Sequence, residues 1–559
     1  MSEPTTNGSD EGTAGRDDEP LLKMRELRIE GWTDEQWVEI VHGVDVNLWR
    51  GEVLGLIGES GAGKSTIGLA ALGFTRDGCR ISAGEIWFDG VDLRTISEEK
   101  RRRLRGNRIA YVAQSAAAAF NPAHRLIDQC IEAPVRHGIM SRKEATRHVK
   151  DLYRRLHLPD PENIGERYPH QVSGGQLQRI MVAMAMGGRP DLIVFDEPTT
   201  ALDVTTQIEV MAAIRDAVAH YNTAAIYVTH DLAVVAQMAD RIMVLRHGDL
   251  VEEGPTWQIM QEPKEDYTRA LVRVRELRKD MEASNVGEEP LLSLRNLSAA
   301  YGKDPVLFNI SIDVHRQRTV ALVGESGSGK STTARVVTGL LPPSEGEIRY
   351  GGEVLPPNYF QRSREQLRQI QMIYQSPDTA LNPKHSVRDV IGRPLKFYLG
   401  LNRRQREERV RELLSLIELD PDEFIDRHPS ELSGGQKQRI CIARALAAEP
   451  WVIICDEVTS ALDQLVGEGI LRLLIRLQKE FGVSYLFITH DLATVRAIAD
   501  EVVVMKDGRV VESGPKDEVF TPPHHDYTDL LLSSVPEMDA GWLDRVLAER
   551  GDSVRDRGI

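Results

Sequence analysis

The chain has 559 residues and a mass of 62.6 kDa, with 41% apolar and 28% charged residues, the balance of an ordinary folded protein. Its 85 acidic against 69 basic residues leave a net charge of −16, which speaks against a nucleic-acid surface. No apolar run approaches the ~18 residues of a membrane span, and the polar, acidic start MSEPTTNGSD lacks the charged-then-apolar form of an export signal.

Length alone suggests three or four domains at ~150 residues each, but the sequence is one unit written twice. GESGAGKST at Gly58–Thr66 returns as GESGSGKST at Gly324–Thr332, and VSGGQLQRI at Val172–Ile180 as LSGGQKQRI at Leu432–Ile440. FDEPTTALD at Phe195–Asp203 returns as CDEVTSALD at Cys455–Asp463, and YVTHDLA at Tyr227–Ala233 as FITHDLA at Phe487–Ala493. Lys64 and Lys330 are 266 positions apart and Gln114 and Gln375 are 261; the pairs Ser173/Ser433, Asp196/Asp456 and His230/His490 are each 260. A net loss of five residues therefore falls between the first glycine loop and the glutamine of the second copy. This is a duplicated globular domain, not a solenoid.

In chain order, residues 1–20 (Ser, Thr, Gly, Asp and Glu) are predicted to be a disordered tail. The first copy spans 21–272. Its short apolar runs VLGLIG, LIVF and AAIYV alternate with helical stretches, as buried parallel strands do, so the class is α/β. Within it, 127–167 has helical spacing and many charges and reads as a helical insertion, while KRRRLR (Lys100–Arg105) reads as a solvated helix face. Residues 273–290 are a charged linker, partly helical. The second copy spans 291–533, and 534–559 form a tail with one short amphipathic helix. The cysteines, at 79, 130, 441 and 455, form no close pair, so neither disulfides nor a CxxC metal site is expected. His524 and His525 read as loop, since the first copy has Lys264 and Glu265 there.

The repeated motifs carry chemistry. GxxxxGK[ST] is a phosphate-binding loop, in which glycines let the backbone wrap an anion and the following helix adds its positive end. It comprises Gly58, Glu59, Ser60, Gly61, Ala62, Gly63, Lys64, Ser65 and Thr66, and again Gly324, Glu325, Ser326, Gly327, Ser328, Gly329, Lys330, Ser331 and Thr332. Each lysine would reach the β- and γ-phosphates, and Ser65 and Ser331 would hold Mg²⁺. Asp196 and Asp456 each end an apolar run, at the strand edge where ligands bind in open α/β sheets, and would also hold Mg²⁺. Glu197 and Glu457 are placed to polarise an attacking water. His230 and His490 each end the next apolar run, and their recurrence favours a γ-phosphate contact over a structural histidine.

SGGQ followed by QRI, then DE, ALD and TH, together with the phosphate loop, resembles the ATP-binding cassette (ABC) ATPases. The resemblance implies two tandem P-loop cassettes, each a RecA-like α/β core with a helical subdomain. It implies that Ser173, Gly174, Gly175 and Gln176, and Ser433, Gly434, Gly435 and Gln436, bind the γ-phosphate of ATP held by the opposite cassette. Gln114 and Gln375 match the family's Q-loop, which contacts Mg²⁺ and the attacking water and adjoins the groove for a membrane partner. Tyr301 matches the aromatic that stacks on adenine in the second copy; in the first copy Trp32 is the equivalent, with Trp37 as the alternative.

AFNP and ALNP after the Q-loops, YPHQVSGGQ and HPSELSGGQ, and DYT after the last strands narrow the resemblance to the oligopeptide/dipeptide importer branch. The first half is similar to its D-type subunit and the second to its F-type. The resemblance implies an ATP-hydrolysing, energy-coupling subunit with ATP and Mg²⁺ as ligands. It would be peripheral on the cytoplasmic face of the membrane, served by two integral-membrane permease subunits and an extracytoplasmic solute-binding protein. No nucleic acid is expected as partner. Some D-type relatives carry a cysteine-rich C-terminal segment for an iron–sulfur cluster; no cysteine follows Tyr267 in the first copy, so no cluster is expected. The rival readings are a soluble twin-cassette ATPase acting on ribosomes or nucleic acid, whose motif context is DEPTNHLD and whose linker is long and basic, and the ATPase of an exporter.

Overall fold

The structure, a computed structural model, describes residues 19–33, 35–199, 202–273, 279, 289–460 and 462–556. By its contacts the chain divides into two compact units: the first gathers the described residues up to 199 with 209–269 and 537–543, and the second gathers 202–208, 270–536 and 544 onward. The expected N-terminal tail lies outside the described residues, apart from 19 and 20, and so does most of the expected linker.

The first unit has a six-stranded sheet in the order Asp249–Pro255, Arg241–Arg246, Val53–Gly58, Ala224–Val228, Leu192–Asp196, Ile109–Val112. All neighbours are parallel except the edge pair Asp249–Pro255 with Arg241–Arg246. Leu192–Asp196 and Ala224–Val228 are buried at every residue, which is why their sequences read as continuous apolar runs with no alternation. Asp196 pairs with Val228 and Val112 with Phe195, so the register brings the C-terminal ends of these strands to one edge. A second, antiparallel sheet holds Gln36–Leu48, Leu22–Thr33, Cys79–Phe88 and Val91–Asp92. Leu22, Met24, Leu27, Ile86 and Phe88 of this sheet share one core with Leu54, Leu192 and Ile226 of the parallel sheet.

The predicted helical insertion is present as Leu126–Arg136 and Arg142–Arg155. Ser141 starts the latter with a capping box to Glu144, an arrangement that contributes about 1 kcal/mol. The buried Tyr153 hydroxyl donates to the Cys130 sulfur at 3.4 Å, tying the two helices together.

The second unit repeats the plan, with its parallel sheet ordered Ile370–Ile373, Val452–Asp456, Ser484–Ile488, Thr319–Val323, Glu501–Lys506, Arg509–Pro515. The side chain of Lys279, in the expected linker, is largely covered in this unit: its ammonium pairs with Asp500 and donates to Gln478 Oε1, both at 2.6 Å. The C-terminal helix is Trp542–Asp556, with Trp542, Leu543 and Val546 buried. His525 caps the helix Asp526–Ser533, its ring nitrogen accepting from the Tyr527 N–H at 3.1 Å.

Candidate active sites

In the first unit the chemistry gathers where adjacent parallel strands end. Gly58 closes Val53–Gly58 at φ 151°, and a Cβ there would lie 2.0 Å from the Leu245 carbonyl oxygen, so only glycine fits. Gly63, at φ 89°, caps the helix Lys64–Ala70. Lys64 is buried, and its ammonium donates to the carbonyls of Gly58 at 2.7 Å and Glu59 at 2.8 Å, closing its own loop into a ring.

Two carboxylates follow at the end of Leu192–Asp196. Asp196 accepts from the Ser65 hydroxyl at 2.7 Å on Oδ1 and from the Tyr111 hydroxyl at 2.6 Å on Oδ2, with the Arg76 guanidinium at 3.5 Å. Glu197 is held at φ 49°, an arrangement a non-glycine residue adopts at a cost of roughly 1–3 kcal/mol. Its N–H donates to the Val228 carbonyl, which fixes the turn. Its side chain is gripped from two sides: Gln114 Nε2 donates to Oε2 at 3.0 Å, and His230 Nδ1 lies 3.3 Å from Oε1. Burial alone would lower the His230 pKa, but the hydrogen bond and charge of Glu197 outweigh it and hold the imidazole above its ordinary value.

The second unit reproduces this group. Lys330 donates to the carbonyls of Gly324 and Glu325, both at 2.8 Å, and Ser331 donates to Asp456 Oδ1 at 3.1 Å. Glu457, at φ 48°, accepts from Gln375 Nε2 at 2.6 Å and faces His490 Nδ1 at 3.4 Å. That hydrogen bond raises the His490 pKa and lowers the Glu457 pKa, since a carboxylate beside an imidazole favours the charged form of each. Burial pushes the Asp456 carboxyl up and the Lys330 ammonium down.

Each Ser–Asp pair presents hard oxygen donors beside a lysine-closed glycine loop, the donor chemistry that suits Mg²⁺ on a nucleotide. In the first unit a cleft of about 820 Å³ lies beside this group, lined by Leu72, Phe74, Met184, Arg102 and Arg136 among others, and by Tyr111 itself.

The sequence family of ABC transporters matches residues 41–200 and 307–460, covering both glycine loops, both SGGQ segments and both strand-end Asp–Glu pairs. The chain belongs to the ATP-binding proteins of ABC transporters. The C-terminal region of oligopeptide/dipeptide transporters matches 511–557, placing it in that branch. The glutathione import ATP-binding protein GsiA of Escherichia coli (strain K12) is 37% identical over 94% of this chain and 91% of its own length. GsiA of Salmonella typhimurium is 38% identical over 94% of this chain and 90% of its own length. Among solved structures, the archaeal ribosome recycling factor aABCE1, in complex with the ribosomal stalk protein aP1, superposes over 88% of this chain and 90% of that one. The TM-score is 0.58 at 21% identity, a likeness of fold alone. The chain is an ABC ATPase built of two cassettes.

Within each ABC cassette the structure brings together the glycine loop, Ser, Asp, Glu, Gln and His named from the motifs. The SGGQ residues stand apart at a helix start. Ser173 and Ser433 cap Gly174–Met186 and Gly434–Leu446, each with a capping box to Gln176 or Gln436. Gly174 has open space where a Cβ would go, whereas a Cβ on Gly435 would press to 2.5 Å from Val466. Trp32 is 53% exposed at the end of Leu22–Thr33, edge-on to Trp37, whose ring is covered by Arg80 at 4.1 Å. Tyr301 ends Leu292–Tyr301 and its hydroxyl accepts from Arg335 at 3.0 Å.

Motif reading missed Tyr111 and Arg76, the two groups that join Ser65 on Asp196. Tyr111 sits inside an apolar strand run, and nothing in its sequence neighbourhood points to a carboxylate. KRRRLR is only partly the solvated face expected from sequence. The helix Glu98–Leu104 buries no residue, but Arg105 turns inward to donate to the Leu72 and Gly73 carbonyls.

Proposed function

We propose that this chain is the energy-coupling ATPase of an importer for peptide-type solutes, working on the cytoplasmic face of the membrane through separate permease subunits. The observation that carries the reading is the duplicated glutamate clamp, Gln114–Glu197–His230 and Gln375–Glu457–His490, each beside a complete phosphate loop. Full-length similarity to import ATP-binding proteins supports the direction of transport.

In each site, Lys64 or Lys330 would exchange its loop carbonyls for the β- and γ-phosphates. Ser65 with Asp196, and Ser331 with Asp456, would hold Mg²⁺, with Gln114 or Gln375 completing the oxygen donors. When bound, the ion neutralises phosphate charge and orients the γ-phosphoryl group. Glu197 or Glu457 accepts a hydrogen bond from the attacking water and so aims it in line with the bond to be broken. His230 or His490, made more basic by its glutamate contact, would donate an N–H to the γ-phosphate oxygen. The signature serine and glycines of the opposite cassette supply a helix N-terminus to the same phosphate, so hydrolysis would require the two cassettes to close on each other. Trp32 and Tyr301 would stack on adenine.

Among the described residues no helix is long and apolar enough to cross a membrane, which fits separately encoded permeases. The cleft of the first cassette, beside the Q-loop strand Ile109–Val112, is the surface we assign to a permease's cytoplasmic segment. An extracytoplasmic binding protein would deliver the solute. The relatives are named for glutathione import, and a short peptide is the solute class we carry to this chain.

The test is co-purification from native membranes after gentle solubilisation. Recovery with integral-membrane chains, together with ATPase activity raised by a cognate solute and its binding protein, supports the reading. Recovery with ribosomes and no membrane chain refutes it.

A further inference from the structure

The motif Asp526, Tyr527 and Thr528, one of the features that mark the transporter branch, reaches the second phosphate loop. Tyr527 stands in the first turn of the helix Asp526–Ser533 and is 3% exposed. It shares a core with Ala321 and Val323 of the strand that leads into the loop, and the Lys506 ammonium lies over its ring at 4.8 Å. Its hydroxyl accepts from the Glu325 N–H at 3.0 Å. Burial pushes that hydroxyl up to about 12, so it stays neutral at physiological pH.

The Gly324 carbonyl and the Glu325 N–H are two ends of one planar peptide unit. Lys330 donates to that carbonyl and to the carbonyl of Glu325, while Tyr527 takes the N–H, so the unit is held at both edges. A nucleotide would draw Lys330 away to its phosphates. The grip on the carbonyl is then lost, leaving the Tyr527 hydroxyl to set the orientation of this peptide. Further along the loop, the Ser328 carbonyl is fixed separately by the Gly508 N–H at 3.1 Å. The first cassette carries the same three residues, but there Arg246 lies over the Tyr267 ring at 4.9 Å. Among the described residues no hydrogen bond joins the Tyr267 hydroxyl to Glu59.

We propose that Tyr527 is a positioning residue for the second ATP site: it holds the Gly324–Glu325 peptide in the orientation that phosphate binding needs once Lys330 has left it. The matched C-terminal region of oligopeptide/dipeptide transporters, residues 511–557, thereby takes a part in nucleotide binding. The inference rests on the second loop being an ATP site. Groups set in place beforehand need no ordering when the ligand arrives, so the hydroxyl acts on affinity for the nucleotide.

The experiment uses the full chain and reads one site at a time by titration with Mg²⁺ and a fluorescent ATP analogue. Lys64→Ala leaves the second site to be read, and Lys330→Ala the first. Tyr527→Phe keeps the ring and removes only the hydroxyl. In the Lys64→Ala protein it should weaken binding about fivefold, as for the loss of one neutral hydrogen bond. In the Lys330→Ala protein it should change binding by less than about twofold. Hydrogen exchange with the analogue bound supplies a local readout. The segment containing Glu325 should exchange about fivefold faster in Tyr527→Phe, while the strand Glu501–Lys506, part of the core that Tyr527 shares, keeps its protection. Failure of the Lys64→Ala protein to bind the analogue overturns the second ATP site and this inference with it. Unchanged affinity, or unchanged exchange at Glu325, overturns this inference alone. So does equal weakening at both sites or loss of protection along Glu501–Lys506, which would make Tyr527 a structural residue of the fold.

Discussion

The Tyr111 hydroxyl donates to Asp196 Oδ2 at 2.6 Å, and the second cassette has Met372 at the equivalent strand position, where no hydroxyl can reach Asp456. The two cassettes, matched in the loop lysine and serine and in the Asp, Glu, Gln and His of the site, therefore differ at the carboxylate meant for Mg²⁺. Asp196 has both oxygens occupied, one by Ser65 and one by Tyr111, while burial and the Asp196 carboxylate hold the Tyr111 hydroxyl protonated. An entering cation must displace one of these donors. With the second site silenced by Glu457→Gln, Tyr111→Phe should lower the Mg²⁺ concentration for half-maximal ATPase activity about fivefold, the equivalent of one hydrogen bond of about 1 kcal/mol. Met372→Phe in the reciprocal Glu197→Gln background should change it little.

Glu197→Gln and Glu457→Gln should each keep ATP binding and cut turnover at the altered site by roughly 10²–10⁴-fold, the range for removing a general base. Each glutamate is fixed by a glutamine and a histidine, and the amide substitution preserves shape while removing the charge. Single-turnover hydrolysis with the other site intact reads this directly. Full transport-coupled activity in either variant would mean that its site does not turn over.

The duplicated motifs made the α/β class, the two cassettes and the strand-end clustering of Lys64, Asp196, Glu197 and His230 legible from sequence. Such groups are fixed by spacing to buried strands, and buried strands announce themselves as apolar runs. Tyr111 was not legible because its function depends on register across the sheet: it contacts Asp196 from a neighbouring strand, 85 residues away in sequence. Arg105 was hidden for a similar reason. Its run of like charges reads as solvated, and only the fold shows two backbone carbonyls waiting for it.

Gly58→Ala should destabilise the first cassette by roughly 2–4 kcal/mol, because the added methyl meets the Leu245 carbonyl oxygen at 2.0 Å in a backbone conformation that L residues avoid. Gly61→Ala adds its methyl to open space, so its cost is confined to the φ of 85°. Denaturant melts of the two variants should separate the effects, with Gly58→Ala the larger.

The four cysteines should differ in reactivity. Cys130, Cys441 and Cys455 are buried, and burial pushes the Cys130 thiol up to about 12 and the Cys441 thiol up to about 11. Cys79 is partly exposed on the strand Cys79–Phe88. Iodoacetamide at pH 8 should therefore label Cys79 in the native chain and the other three only after denaturation. Labelling of Cys441 at a rate comparable to Cys79 would contradict the packing described for the second cassette.

The His490–Glu457 pair gives the second site a pH signature. The hydrogen bond to Glu457 raises the His490 pKa above 6.5, against the opposing effect of burial, and lowers the Glu457 pKa below 4.5. Stabilisation from the protonated histidine is complete below 6.5 and is lost as pH rises through its raised folded value. Stabilisation from the ionised glutamate is present above 4.5 and is lost as pH falls through its lowered folded value. The pair therefore contributes most between about pH 4.5 and 6.5. His490→Gln should lower the Tm by about 2–4 °C at pH 6, as expected for a loss of about 1 kcal/mol in a unit of this size, and the difference should shrink toward pH 9. Calorimetric scans of both proteins at pH 6, 7.5 and 9 provide the comparison. A Tm difference independent of pH would mean that His490 stabilises the fold by packing and not through its charge on Glu457, and would remove the basis for its donating a proton-bearing nitrogen to the γ-phosphate.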